Sequence, residues 1–244
     1  MEFNEIKTGT SKEVPARTAI YAEPKIGKTT FASQADDVFF LNIEGGTSYL
    51  QKQVRSTPVL KSYDDVIAWL RHIYEDEKFT CGTIAVDSLD WLETLAQERI
   101  IKQYGAKSIN DPACKDFAYF KGVMMAADDA IKVLRWLDAI YEKKSIKCIL
   151  IAHSQVKTVD FPNQDPYQRH ELKLSKWFAA KVNEWCDLIL YAGLDFHVTK
   201  DKKVSEAKRV IFSGGNPSFV GGGRMKLPNK IDLNYEALKK ELLK

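Results

Sequence analysis

The chain has 244 residues, 45% of them hydrophobic and 28% charged, with a net charge of +3. That is an ordinary globular composition, with length for one sizeable α/β core. No apolar run approaches the roughly 18 residues of a membrane span, and the N-terminal stretch lacks the apolar segment of a secretory signal, so a cytoplasmic protein with no membrane partner is expected.

Residues 1–16 read as a polar arm, extended or partly disordered, and residues 17–244 as a single domain. Phe3 and Ile6 give the arm the means to add to a neighbour's sheet. Apolar, β-branched or aromatic runs then recur at 17–21, 38–43, 82–86, 147–152 and 187–192. Their continuous rather than alternating apolar character suits strands covered on both faces. Helical patterns fall between them, at 64–74, 89–104, 118–141 and 174–185. Strands alternating with helices predict a mostly parallel, twisted α/β sheet flanked by helices. The segments 194–200 and 208–214 predict an antiparallel hairpin at its edge. Beyond them lie a glycine-rich loop (214–228) and a short terminal helix.

Four cysteines, Cys81, Cys114, Cys148 and Cys186, form no CxxC or Cys/His pair. This argues against a zinc site or a disulfide framework. From His197 to Lys244 there are 11 Lys+Arg against 5 Asp+Glu. A basic C-terminal part is compatible with a nucleic-acid partner and, more simply, with a solvated lysine-rich surface.

Chemistry enters at Ala22-Glu23-Pro24-Lys25-Ile26-Gly27-Lys28-Thr29-Thr30. An apolar strand precedes it and a helical pattern comes after it. This is the spacing of a phosphate-binding loop, with alanine in place of the first glycine. Backbone N–H groups of Glu23 and of Lys25 to Thr30, with Pro24 shaping the turn but donating none, would cradle phosphates, Lys28 would reach the β/γ oxygens, and Thr29 would hold Mg²⁺. Asp87 ends the strand at 82–86, where an acid can hold the same metal; its alternative role is a helix N-cap. Glu44 comes after the strand at 38–43 and is the candidate general base, the alternative being a plain turn residue before Gly45 and Gly46. Gln155, with His153 second, comes after the strand at 147–152 and is the candidate reporter of the γ-phosphate.

These four elements in this order resemble the RecA-type ATPase core. They are closest to the short RecA-like, AAA-type ATP-binding proteins of bacteriophages, the group of Sak-type single-strand annealing recombinases. The resemblance spans about residues 17 to 230. It implies a RecA-like P-loop NTPase core, ATP and Mg²⁺ as cofactors, Glu44 as catalytic base, and Gln155 coupling nucleotide state to a DNA-binding loop. It also implies single-stranded DNA as partner, a homo-oligomer (ring or filament), and a bacterial host's cytoplasm. A single-strand-binding protein is a further candidate partner.

Residues 157–176 read as a long irregular loop broken by Pro162 and Pro166. Its Lys157, Arg169, His170 and Lys173 are candidate DNA contacts among aromatic residues that could stack bases. Lys115, in a second loop at 104–122, joins them. Lys208, Arg209 and Arg224 are candidates for a cation supplied to a neighbouring subunit's site. Two other functions stay open: a loader or regulator acting on a replication or recombination partner, and a P-loop kinase with Arg169 on its lid.

Overall fold

The computed structural model describes residues 14–196 and 207–244. Most of the N-terminal arm, and the turn between the segments at 194 and 208, lie outside these residues.

The elements run in chain order as β1 (Arg17–Ala22), α1 (Lys28–Ser33), β2 (Val38–Asn42), β3 (Arg55–Ser56), α2 (Tyr63–Glu75), β4 (Thr83–Asp87) and α3 (Leu89–Tyr104). Next come α4 (Lys121–Lys144), β5 (Lys147–Phe161), β6 (Gln164–Leu172), α5 (Lys176–Trp185) and β7 (Leu188–Asp195). The chain closes with β8 (Lys208–Phe212), β9 (Gly222–Gly223), β10 (Lys230–Asp232) and α6 (Tyr235–Leu242). The sheet order is β10-β8-β7-β1-β5-β4-β2-β3, with β6 on β5 and β9 on β7. From β7 to β3 every pairing is parallel, while β8, β9 and β10 are antiparallel. This is the mixed α/β core expected, with its antiparallel edge.

The continuous apolar runs have a simple cause: both faces of the sheet are covered. Tyr21, Leu41, Val86 and Leu150 point to one face, against α2, α3, α4 and α5. Ile20, Phe40, Ala85 and Ile151 point to the other, against α1 and α6. Side chains alternate across a strand, so strands buried on both sides read as unbroken apolar sequence. Local signals fix the helix ends. Ser62 accepts from the Asp65 N–H at 3.1 Å to start α2, and Asn234 accepts from Ala237 at 3.2 Å to start α6. Gly105, at φ 61°, stops α3.

One expectation fails. Residues 157–172 are not an irregular loop. β5 runs unbroken to Phe161 and pairs with β6, Val159 facing Tyr167 and Lys157 facing Arg169. The prolines do not prevent this. Pro162 lies in the turn. Pro166 lies where the register shifts between Val159 and Phe161, on a strand that pairs with β5 along its other side. Edges and irregularities are where a sheet tolerates proline. The Phe161 and Tyr167 rings stack at 6.3 Å near the hairpin tip.

Candidate functional site

Strand register brings the site together. Ala22 at the end of β1 is level with His153 on β5. Asp87 at the end of β4 is level with Asn42 on β2 and Ile151 on β5. Three strands, β1, β2 and β4, therefore present their carboxyl ends at one edge, and β5 passes through it at His153; this is where open α/β sheets place ligands.

From β1 the chain turns through Lys25, whose φ of 68° is left-handed. For a non-glycine residue that conformation stores of order 1–3 kcal/mol. Gly27, at φ 116°, then caps α1, a conformation that side chains rarely adopt. Lys28 is buried. Its Nζ donates to the carbonyls of Ala22 at 3.2 Å and Glu23 at 3.0 Å. Burial lowers its pKa, opposed by the charges of Glu44, Asp87 and Asp90.

Thr29 Oγ1 donates to Asp87 Oδ2 at 2.9 Å. Burial, seconded by the Glu44 charge, pushes the Asp87 carboxyl up to about 6, although the Thr29 hydrogen bond and Lys28 act the other way. A Cβ on Gly46 would lie 3.3 Å from Asp87 Oδ2 and 3.5 Å from Thr29 Oγ1, so glycine keeps the space beside both oxygens open. A hydroxyl and a carboxylate strained by burial make a hard-oxygen pair that fits Mg²⁺, and a cation there would relieve the carboxylate. Among the described residues no cluster of three His, Cys, Asp or Glu side chains offers a self-contained metal cage. The cation would depend on phosphate and water for its remaining ligands.

Glu44 is held by its backbone. The N–H groups of Ile43 and Glu44 donate to the Asp87 carbonyl at 2.8 and 2.9 Å, and Asn42 Oδ1 accepts from Gly45 N at 2.9 Å. Its Oε1 lies 3.7 Å from His153 Nε2. A cavity of about 320 Å³ is lined by Lys25, Gly27, Lys28, Thr29, Thr30, Glu44, Gly46, Asp87 and His153, with Tyr49, Leu50 and Arg209 at its margins.

Several sequence-derived assignments land elsewhere. Gln155 does not line this cavity. Its Nε2 donates to the carbonyls of Leu172 and Leu174 at 2.8 and 3.2 Å, and His153 faces the cavity instead. Two residues of strand are about 6–7 Å, so Gln155 sits where β5 has already begun to pair with β6. Glu23 and Ile26 are also absent from the lining; Glu23 contributes its carbonyl to Lys28, and Ile26 packs on the core. Pro24 lines a neighbouring cavity of about 550 Å³, which also holds Lys173, Trp91 and Glu93 and shares Glu44 and His153.

On the hairpin, Glu171 draws in two predicted DNA contacts: Arg169 Nε donates to it at 3.0 Å and Lys157 Nζ lies 3.5 Å away. The His170 ring packs on Tyr191 at 5.2 Å rather than facing solvent. Lys115 and Lys173 are exposed. So is Tyr119, at 91%, next to Phe120, both with left-handed backbones. Of the three cations assigned to a neighbour's site, Arg209 lines the cavity of its own chain. Lys208 is exposed, at the Asp195 end of β7. Arg224 pairs with Asp187 at 3.2 Å, beside the start of β1, at the edge of the sheet opposite the phosphate loop.

Sequence reading missed Tyr49, Asp90 and the place of Arg209 in its own chain's cavity. Tyr49, 92% exposed, had no signal beyond its nearness to Gly46. Arg209 enters only because β8 folds back antiparallel along β7. No helix among the described residues is long and apolar enough to cross a membrane.

A phosphate loop after a central strand, opposite a strand-end acid bonded to its threonine, defines a P-loop nucleoside triphosphatase core. Residues 14–225 match the family described as AAA domain, and the chain belongs to that family. Nucleotide binding and ATPase activity are the properties it shares with that class. No curated protein matches the chain.

Proposed function

We propose that the protein is an ATP- and Mg²⁺-dependent RecA-like ATPase that binds single-stranded DNA as a homo-oligomer and promotes recombination or strand annealing, in the manner of the phage Sak-type group. The convergence of Lys28, Thr29, Asp87 and Glu44 on one cavity supports it most directly. Thr29 and Asp87 would hold the cation, which supplies charge neutralisation at the phosphates. Lys28 binds the β/γ phosphates once drawn from the Ala22 and Glu23 carbonyls. Glu44 orients water for attack on the terminal phosphate. The stacked Phe161 and Tyr167 with Lys157 and Arg169, and the exposed Tyr119 and Phe120 beside Lys115, are the chemistry of single-strand binding.

The pairing of both Lys157 and Arg169 with the Glu171 carboxylate, which leaves one net positive charge there, favours one second reading, an ATP-driven loader or regulator of a partner protein. ATP hydrolysis with and without single-stranded DNA separates the two. The recombination reading expects stimulation by DNA and a Glu44→Gln variant that loses about 10²-fold or more in kcat while keeping nucleotide affinity. Turnover indifferent to DNA, with no DNA retained on a filter at low salt, refutes it in favour of the loader.

A further inference from the structure

One half-buried pair at the edge of the cavity, Asp90 and His153, has no task in the hydrolysis assigned to Lys28, Thr29, Asp87 and Glu44. Asp90 sits in the first turn of α3. Its Oδ1 accepts from the backbone N–H of His153 at 3.1 Å and from Ser88 Oγ at 3.0 Å, and its Oδ2 lies 2.9 Å from His153 Nδ1. Burial disfavours the charged carboxylate, but the hydrogen bonds from His153 and Ser88 outweigh it and lower the pKa. An ionised carboxylate only accepts, so the hydrogen on this side of the ring belongs to Nδ1. Nε2 is then left for the opposite side, where it lies 3.7 Å from Glu44 Oε1. That gap is too long for a direct hydrogen bond. Both atoms can share a third oxygen placed beside them, and both residues line the nucleotide cavity.

We propose that Asp90 is a positioning residue for ATP hydrolysis: it fixes the orientation and tautomer of His153, so that Nε2 and Glu44 together face the terminal phosphate and its attacking water. The inference rests on the ATPase reading. It gives work to the residue of β5 that is level with the end of β1, and it explains why His153, rather than Gln155, is turned to the cavity.

Asp90→Asn is the discriminating change. The amide keeps the size and one acceptor for Ser88 and the His153 N–H. Its NH₂ now meets Nδ1, which must become an acceptor, and the ring hydrogen moves to Nε2. The ring stays in place and presents the wrong atom. The expected result is a fall in kcat of about 10²-fold with the KM for ATP changed by less than about threefold. His153→Ala should lose a similar factor, and the double variant should be no slower than His153→Ala alone, because Asp90 acts through that ring.

The tautomer has its own readout. Nitrogen-15 spectra of the protein, with its four histidines, place the ring hydrogen directly, and the His153→Ala spectrum identifies the signal. Nδ1–H is expected in the wild type and Nε2–H in Asp90→Asn. A wild-type ring bare at Nδ1 overturns the inference whatever the turnover. So does Asp90→Asn with wild-type kcat, or losses that simply add in the double variant. If the wild type hydrolyses no ATP, the ATPase reading itself fails, and the spectra still report whether Asp90 sets the ring.

Discussion

Asp87→Asn is expected to make the nucleotide-free protein more stable at pH 7, although it removes a residue of the site. The Asp87 side chain is 2% exposed, and its carboxyl is pushed from 3.8 to about 6. At about 1.36 kcal/mol per unit, the folded state carries roughly 3 kcal/mol of ionisation cost at neutral pH. The direction comes from proton counting. A carboxyl whose pKa is raised by folding holds its proton longer in the folded chain than in the unfolded one. Its contribution to stability therefore falls as pH rises from about 4 to about 6, and stays low above that. Asparagine keeps an acceptor for Thr29 Oγ1 and never ionises. For a chain of this length each kcal/mol moves Tm by about 2–4 °C, so a rise of roughly 6–12 °C is expected. Scanning calorimetry in EDTA at pH 7 and pH 4.5 reads it, and the gap between variant and wild type should shrink at the lower pH. With ATP and Mg²⁺ at 100 times Kd, the wild type should gain about 2.7 kcal/mol and the variant far less, which narrows or reverses the order. A variant less stable than wild type at pH 7 without nucleotide, or a gap unchanged between the two pH values, refutes the reasoning.

Gly46→Ala should fold normally, because this glycine has no positive φ, yet weaken Mg²⁺-dependent ATP binding, since its methyl would sit 3.3 Å from Asp87 Oδ2; titration calorimetry with and without the metal checks this. Lys25→Gly should raise stability by about 0.5–1 kcal/mol by relieving the left-handed backbone, while lowering ATP affinity through the lost cation; denaturant melts and nucleotide titration read the two effects. Glu171→Gln should release Arg169 and Lys157, tighten single-stranded DNA binding and steepen its salt dependence by about one to two ions, measured by fluorescence anisotropy from low to high salt. An unchanged salt slope would remove the hairpin cations from the DNA reading.

Much of the fold was legible in the sequence for identifiable reasons. The strands of the parallel sheet are buried on both faces, so their apolar runs needed no tertiary information, and Gly27-Lys28-Thr29 marked the phosphate loop directly after β1. The acid at the end of β4 and the glutamate after β2 fell where the register later aligned them. Pro162 and Pro166 misled because Pro162 sits in the turn between the two strands and Pro166 on an edge strand, where proline breaks no interior pairing. The choice between His153 and Gln155 could not be made from spacing. The two share one face of β5, and only the pairing of Ala22 with His153 shows which is level with the phosphate loop. Asp90 meets a residue 63 positions away on β5, and Arg209 shares a cavity with a phosphate loop about 180 positions away, which no local pattern encodes.

The unbroken course of β5 has a mechanical consequence. His153, beside the phosphate loop, and Phe161, at the hairpin tip, belong to one continuous strand. Eight residues of strand make a lever of roughly 26 Å, stiffened by its pairing with β6. A tilt of only about 5° at the His153 fulcrum would sweep the tip aromatic through about 2 Å over that length, so a small adjustment at that end would be magnified at the other.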